Sequence, residues 1–359
     1  MMTITEVDAA KVEAFGGKML GILNGAAAAL MISVGHRVGL FDTMSGLAPA
    51  TAVEIAAASG LNERYVREWL GAMTVAGIVE YVGGTDTYSL PPEHAAMTTR
   101  AAGQNNFAAF MQFIAVVAPV ESELVDKFHR GGGVPYSSYT RFHLVMAEMS
   151  AAQFDAGLVD TVLPMVPGIV ERLGTGISVA DVGTGSGHAV NVMAKAFPSS
   201  SVTGIDFADE ALQAGRKEAA AWGLTNATFV AQDASKLDGS TQYDFITTFD
   251  AVHDQADPQG MIDGVFAALK PGGYWLCADV HASSHVGENI QHPLGTFGYT
   301  MSCMHCMPVS LAYDGVGLGA MWGVHKAREM FGVGGFVVEA IRTLPGDPLN
   351  NYYVMRKPV

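Results

Sequence analysis

Basic residues are scarce in this chain. Its 359 residues include 20 lysines and arginines against 35 aspartates and glutamates, which gives a formal net charge of −15 at pH 7. Proteins hold phosphate backbones mainly with Lys and Arg side chains. The shortage of basic residues therefore disfavours nucleic acid as a partner.

Cysteine and charged residues are also few. The only cysteines are Cys277, Cys303 and Cys306, and no secretory signal with a basic start and a small-residue cleavage site opens the sequence. We therefore expect a cytoplasmic protein. Charged residues make up 15% of the chain and hydrophobic residues 49%. Such an apolar composition predicts large buried surfaces, including a subunit interface.

One long apolar run lacks charge, residues 19–35, with the sequence MLGILNGAAAALMISVG. The run is short for a membrane span, and Asn24 and Ser33 interrupt it. We interpret it as a buried helix within a helical pattern from about Lys18 to Met44, and we expect no membrane association.

The pattern that follows is typical of a winged helix. Thr51 can cap a first helix, Gly60 can make the turn, and Asn62 can cap a second helix. The segments IVEYV and TYSL then predict a hairpin, which Pro91 and Pro92 end.

The charge of residues 1–100 bears on what this winged helix does. Six basic residues face ten acidic ones, and the second helix pairs its two arginines with Glu63 and Glu68. We therefore interpret residues 1–100 as a dimerisation domain, with DNA binding as the alternative. Residues 101–170 look mainly helical and predict a linker and lid, and residues 171–359 form the last domain, with an insertion at 281–322.

A glycine-rich turn follows the first strand of the last domain. In the segment ISVADVGTGSGH the strand ends at Asp181, and Gly183, Gly185 and Gly187 remove side chains where the backbone must approach a ligand. A dinucleotide fingerprint would need Gly or Ala at the position of His188. This substitution argues strongly against an NAD-dependent oxidoreductase.

Acidic residues end the next two strands. Asp206 follows the segment SVTGI, 23 residues after Gly183, where a carboxylate can accept hydrogen bonds from both hydroxyls of a ribose. Asp233 follows ATFVAQ and could accept a hydrogen bond from an adenine amino group, while Ala234 leaves space for the ring. Asp206 could instead cap a helix. Together, the three strand ends predict a nucleotide site at the carboxyl edge of an open α/β sheet.

These residues resemble the class I S-adenosylmethionine-dependent methyltransferases, over roughly residues 177–359. The resemblance implies a Rossmann-like seven-stranded sheet whose last two strands form an antiparallel hairpin, with S-adenosylmethionine as the cofactor. It implies the following cofactor-binding residues: Asp181, Gly183, Thr184, Gly185, Gly187, Asp206, Phe207, Asp233, Ala234 and Asp250.

The arrangement of the domains resembles small-molecule O-methyltransferases of the plant caffeate type. The run HPLGTFGYTMSCMHCMPVSLAYDGVGLGAMWG also resembles an actinobacterial group of winged-helix methyltransferases. These resemblances imply a homodimer that methylates a small, largely apolar molecule at oxygen. Nitrogen and carbon acceptors stay open, because the cofactor half of the site is the same for all of them.

The best candidate for a catalytic base is His253, just beyond the fourth strand. Imidazole titrates near neutral pH, so it can take a proton from an acceptor hydroxyl. In caffeate-type enzymes an HDxxD segment supplies the base, and His253, Asp254 and Asp257 match it, while Asp279 matches an acid that flanks the base. The alternatives are a loop histidine with no catalytic role and, for Asp257, a helix cap before Pro258.

The insertion at 281–322 is expected to build the acceptor pocket. From the insertion and the preceding helical region we predict as pocket residues Phe142, Met146, Tyr299 and His305. His305 also competes with His253 for the role of base. The local CMHC could form half of a zinc site, but no second cysteine pair accompanies it, so we expect no metal.

A runner-up interpretation is a transcriptional regulator. Its winged helix would bind DNA, and its methyltransferase-like domain would only sense a ligand. The acidic balance of residues 1–100 argues against it.

Overall fold

The computed structural model describes residues 7–240 and 242–359, which form two compact units, one ending at Ala115 and the other beginning at Val116. The α-helices are α1 (Ala9–Arg37), α2 (Leu40–Ser45), α3 (Ala52–Ser59), α4 (Glu63–Val75), α5 (Pro92–Thr98), α6 (Phe107–Phe110), α7 (Gln112–Val117), α8 (Glu121–Arg130), α9 (Phe142–Gly157), α10 (Ile169–Thr175), α11 (His188–Ala196), α12 (Asp209–Ala221), α13 (Pro258–Ala268), α14 (Gly295–Met301), α15 (Met307–Ala312) and α16 (Gly323–Val333). The strands are β1 (Glu80–Val82), β2 (Thr87–Ser89), β3 (Ser178–Val182), β4 (Ser201–Asp206), β5 (Ala227–Ala231), β6 (Tyr243–Phe249), β7 (Leu269–Val280), β8 (Val337–Leu344) and β9 (Asp347–Arg356).

The first unit contains the predicted winged helix. Thr51 caps α3 with a complete capping box, in which its backbone N–H donates to Oε2 of Glu54 over 2.8 Å, and Asn62 caps α4. The β1–β2 hairpin is antiparallel. The helix predicted from Lys18 to Met44 begins earlier, at Ala9, and breaks at Gly39, whose φ of +76° is a left-handed conformation that favours glycine.

Helix α1 differs from its sequence interpretation, which was a buried helix. Most of its residues are exposed, including Phe15 at 61%, Leu20 at 63% and Leu23 at 65%. By length and composition, α1 and the helical stretch Phe107–Arg130 could each cross a membrane, with a mean hydropathy of 1.5 in both. The interpretation fails because an apolar run does not reveal whether the chain itself supplies the surface that covers it.

The second unit contains a seven-stranded sheet in the order β5-β4-β3-β6-β7-β9-β8. Strands β3 to β7 pair in parallel, and β9 is antiparallel to both β7 and β8. The predicted fold class is therefore confirmed, including the terminal hairpin. The strand order reverses between β3 and β6, and such a switch point leaves a crevice at the carboxyl ends of the strands.

Apolar side chains fill both faces of this sheet. Trp275 and Phe331 pack edge to face on one side, with ring centroids 5.2 Å apart, while Leu276 and Val190 lie in the core of the other side. Strands β6 and β7 are buried along most of their length, as is typical of a parallel sheet covered on both faces. Most of the predicted insertion is helical and includes a π-helical turn, Ser302–Cys306, between α14 and α15.

Candidate active site

The glycine-rich turn joins β3 to α11 at the switch point. Gly183, Gly185 and Gly187 all have positive φ angles, of 74°, 55° and 76°. A Cβ atom at Gly183 would lie 2.5 Å from Cβ of Ala251, so the turn packs against the loop after β6. At Gly185 a Cβ atom would meet nothing within 4 Å, so the turn also leaves open space beside its backbone.

Asp181 supports the turn from within the protein. Its two carboxylate oxygens accept hydrogen bonds from Oγ1 of Thr184 over 2.6 Å and Oγ1 of Thr247 over 2.7 Å. Burial raises the pKa of Asp181 to about 6, although the two hydrogen bonds oppose this effect. The predicted cofactor residues Asp181 and Thr184 therefore bind each other and fix the shape of the turn.

Asp206 ends β4 beside the same turn. Its Oδ2 accepts from the backbone N–H of Gly185 over 2.9 Å, and its Oδ1 accepts from that of Ala208 over 2.9 Å. The carboxylate is half-buried, which leaves lone pairs for a ligand. The adjacent Phe207, also predicted to contact the cofactor, is 64% exposed.

Asp233 caps the short 3₁₀ helix Ala234–Lys236. Its Oδ1 accepts from Oγ of Ser235 over 2.7 Å, and its Oδ2 lies 3.2 Å from Nζ of Lys236. Burial alone would raise the pKa of Asp233, but Ser235 and Lys236 outweigh burial and lower it. Asp233 therefore acts as a helix cap, a role that the sequence did not predict for it, and Ala234 is buried.

His188 has a structural explanation. Its Nδ1 lies 2.9 Å from both carboxylate oxygens of Glu218 on α12, and its Nε2 lies 3.0 Å from Oδ1 of Asp155 on α9. The residue that departs from the dinucleotide fingerprint thus ties three helices together. These features fit an adenosyl group, because a glycine-rich turn with open space at Gly185 lies against a strand-terminal carboxylate.

A buried histidine lies next to this turn. His253 follows Ala251 by two residues, and its Nδ1 lies 2.7 Å from Oδ1 of Asp279 at the end of β7. The same oxygen accepts from Nε1 of Trp322 over 3.0 Å. Asp279 is fully buried, so it fixes the orientation of the imidazole and directs Nε2 away from β7.

Two carboxylates flank the histidine. Oδ1 of Asp254 lies 3.2 Å from Nε2 of His253, on the side opposite Asp279. Burial opposes the charged imidazolium, but Asp279 and Asp254 outweigh burial and hold the pKa of His253 well above its usual range. The structure therefore brings together the three predicted catalytic residues.

Asp250 shares this region of the sheet edge. It has a positive φ of 51°, and the side-chain amide of Asn350 lies against its carboxylate. Burial and then the charge of Asp279 raise the pKa of Asp250 to about 7. Its predicted contact with the cofactor stays a prediction. Asp257 caps α13, with Oδ1 accepting from the N–H of Gly260 over 2.8 Å.

Aromatic rings enclose His305 on the other side of the site. The ring of Phe142 stacks on the imidazole, with centroids 3.5 Å apart and planes 7° from parallel, and Tyr136 and Tyr139 meet it edge-on. His305 is fully buried, and within the described part of the chain neither ring nitrogen has a hydrogen-bond partner. Burial lowers the pKa of His305 to about 4, so the ring is neutral.

The four predicted pocket residues are only partly brought together. Phe142 and His305 stack, and Met146 lies one turn further along α9 and is half-buried. Tyr299 is 37% exposed, and its hydroxyl accepts from Nδ2 of Asn289 over 3.1 Å.

Sequence reasoning missed the residues that complete the site. Tyr136 and Tyr139 follow the Gly131–Gly133 break that the sequence shows, but only the fold places their rings against His305. Trp322 lies 43 positions from Asp279, which it contacts, so no local pattern could have revealed the pair.

Family models match both units. Residues 26–100 match the model described as an Rv2258c-like winged HTH domain, and residues 173–308 match a methyltransferase domain. The chain therefore carries a winged helix-turn-helix domain followed by a methyltransferase domain.

Curated relatives match part of the chain. The C-methyltransferase of ubiquinone and menaquinone biosynthesis from Desulfotalea psychrophila is 28% identical over 120 residues, 33% of this chain and 46% of that protein. The ubiquinone biosynthesis O-methyltransferase from Leptothrix cholodnii is 30% identical over 108 residues, 30% of this chain and 45% of that protein. The chain thus spans less than half the length of these relatives.

Solved structures match nearly all of it. A protein from Nostoc punctiforme assigned as an O-methyltransferase aligns with a TM-score of 0.73 at 17% identity, covering 95% of this chain and 98% of that one. Human N-acetylserotonin methyltransferase in complex with S-adenosylmethionine aligns at 0.68 and 15% identity over 100% of both chains. Mitomycin 7-O-methyltransferase aligns at 0.68 and 17% identity, covering 97% and 100%. The protein thus has a winged-helix domain followed along the chain by the class I methyltransferase fold, and the resemblance stated from the sequence is confirmed.

Proposed function

We propose that the protein is an S-adenosylmethionine-dependent methyltransferase that transfers methyl to an oxygen of a small, largely apolar molecule. The observation that carries the proposal is the close packing of two features, the glycine-rich turn and the loop that bears the buried His253–Asp279 pair, which meet at Gly183 and Ala251. A donor on the turn and a base on the loop would both face the same crevice. Such alignment is what an in-line transfer requires.

Different residues of the chain have different roles in the proposed methyl transfer. S-adenosylmethionine would supply the methyl group. Gly183, Gly185 and Gly187 let the backbone approach it, and Asp206 accepts hydrogen bonds from the ribose. His253 takes the acceptor's proton at Nε2, while Asp279 holds Nδ1 and stabilises the imidazolium that results. His305 and the surrounding rings exclude water.

The acceptor class follows from the lining. Phe142, Tyr136 and Tyr139 pack their rings around the neutral imidazole of His305, so this side of the proposed site is aromatic. Such a lining suits a planar apolar molecule with a hydroxyl group. The O-methyltransferases among the structural neighbours support an oxygen acceptor.

We also propose a homodimer formed through the first unit. Helix α1 exposes large apolar residues along its length, and a groove of about 600 Å³ lies between α1 and α4, lined by residues that include Asn24, Met31 and Val75. A soluble monomer rarely exposes so large an apolar surface. A second copy of α1 supplies the apolar cover that the chain lacks, and light scattering after size exclusion tests the assembly.

A dimer also accounts for the apolar helix without a membrane, and we place the protein in the cytoplasm on the cysteine content of the sequence. DNA binding is disfavoured because α4 neutralises its own arginines. Arg67 pairs with Glu63 and Arg64 pairs with Glu68, so a carboxylate already engages each guanidinium group that could bind a DNA phosphate.

The deciding experiment is calorimetric titration of the full chain with S-adenosylhomocysteine and, in parallel, with NAD. Binding of the former alone, followed by methylation in a screen of phenolic acceptors, is the expected result. Failure to bind S-adenosylhomocysteine would overturn the proposal. Binding without turnover, together with a mobility shift of genomic DNA, would favour the regulator.

A further inference from the structure

Three different ligand types meet at the base of the site. One potential ligand atom from each of His253, Asp254 and Cys306 lies within 4.8 Å of the other two, and Nε2 of His253 lies 3.2 Å from Oδ1 of Asp254. Cys306 comes from the π-helical turn of the insertion, and the other two residues come from the loop after β6. Imidazole, carboxylate and thiolate are the ligands that Zn²⁺ takes in proteins.

The surroundings of the cluster are those of a zinc ligand set. Nδ1 of His253 is engaged by Asp279, which leaves Nε2 as the free lone pair when the ring is neutral. Zinc-binding histidines commonly donate their other ring N–H to a carboxylate in this way. Oδ1 of Asp254 is buried and has no hydrogen-bond partner among the residues that the structure describes, although Nε2 of His253 lies 3.2 Å away.

The distances fit a bound ion. At zinc bond lengths of about 2.0–2.3 Å and tetrahedral angles, ligand atoms lie roughly 3.3–3.7 Å apart. Nε2 of His253 and Oδ1 of Asp254 are already 3.2 Å apart, and Sγ of Cys306 lies no more than 4.8 Å from a ligand atom of each residue. A shift of Sγ on the order of 1 Å would bring the set to zinc distances.

We infer that His253, Asp254 and Cys306 form a binding site for Zn²⁺, and that a bound ion blocks the methyl transfer. The ion would occupy the Nε2 lone pair that the acceptor's proton needs, so metal and proton compete for one atom. Binding displaces the thiol proton of Cys306 and the Nε2 proton of the protonated imidazole to solvent, and it forms the zinc–sulfur and zinc–nitrogen bonds. The inhibitory part of the inference rests on the proposed function, whereas binding of the ion does not.

Spectroscopy with Co²⁺ as a probe tests the ligand set. We expect the full chain to bind one Co²⁺ with a thiolate-to-metal charge-transfer band, and Zn²⁺ to displace it. Cys306→Ser should remove the band and weaken Zn²⁺ binding by more than about tenfold, because a hydroxyl is a poorer ligand for this ion than a thiolate. The matched control is Cys303→Ser on the same helical turn, which should keep both.

Calorimetry with S-adenosylhomocysteine on each variant shows that its fold is intact, and Cys306→Ala provides a second variant if the serine protein misfolds. A wild-type chain that binds S-adenosylhomocysteine but no Zn²⁺ would overturn the inference and leave the proposed function standing. A chain that binds Zn²⁺ but no S-adenosylhomocysteine would overturn the proposed function and leave the site. Zinc binding with undiminished methylation would contradict the inhibition.

Discussion

The cofactor side and the acceptor side of the proposed site are built differently. The cofactor side consists of short contiguous segments, a glycine turn and two strand ends, whose backbone and carboxylates do the binding. The acceptor side joins side chains from distant segments, since Tyr136, His253, Asp279 and His305 come from four separate elements of the second unit. The local sequence pattern therefore predicts the class of ligand on the cofactor side but not on the acceptor side.

The sharpest test of the acceptor side is His253→Ala. Loss of a general base lowers kcat by about 10²–10⁴-fold. The affinity for S-adenosylhomocysteine should stay unchanged, because His253 does not contribute to the turn. Steady-state kinetics and calorimetry measure the two effects, and His325→Ala, an exposed histidine, is the control. Full turnover of the His253 variant would exclude its role as base.

On the cofactor side, Gly183→Ala should destabilise the protein most. The left-handed conformation costs an alanine about 1–2 kcal/mol, and overpacking against Ala251 costs about 1–3 kcal/mol more. Gly185 also has a positive φ angle, but a Cβ atom there would meet no described atom within 4 Å. Gly185→Ala should therefore lose only the stability that the left-handed conformation costs. Urea unfolding measures both, and equal losses would show that the turn does not pack on the loop.

Asp206→Ala tests the ribose contact. Loss of charge-assisted hydrogen bonds should weaken binding of S-adenosylhomocysteine by about 1–3 kcal/mol. Asp238→Ala, an exposed acid whose carboxylate caps a nearby turn at Ser240, is the control for a loss of surface charge. If the two variants bind equally well, the assignment of Asp206 is wrong.

These contrasts explain which features the sequence could reveal. The glycine turn and the caps at Thr51, Asn62 and Asp257 follow from local chemistry, and the structure contains them. The exposure of α1 could not be predicted, because hydrophobicity does not distinguish a core from an interface.

The same limit applies to the acceptor side. The sequence suggested the CMHC segment as half of a zinc site and offered no partners for it. The fold places Cys306 beside His253, a residue 53 positions earlier, so the grouping exists only in three dimensions.

The His305→Phe variant should show whether His305 lines the acceptor pocket or only packs in the core. Because both imidazole nitrogens are buried without partners, their removal should stabilise the free protein by about 1–2 kcal/mol. The KM of the acceptor should rise if those nitrogens receive its polar group, while binding of S-adenosylhomocysteine stays constant. Thermal unfolding and acceptor kinetics provide the readouts. A stabilised variant with an unchanged KM would make His305 a core residue only.

The smallest effect concerns pH. The pKa of His253 is raised by carboxylates, so the imidazole becomes a base only as pH rises through that raised value. The rate of methylation should therefore increase with pH. Asp254→Asn removes one of the two raising charges, and we expect the rising limb of the pH profile to move to lower pH. Asp257→Asn, in the same loop but engaged with Gly260, should leave the limb in place. If the rising limb of the pH–rate profile stays at the same pH in the Asp254 variant, the limb reflects the titration of a group other than His253. The pairing of Asp254 with His253 would then have no part in the acceptor side of the site.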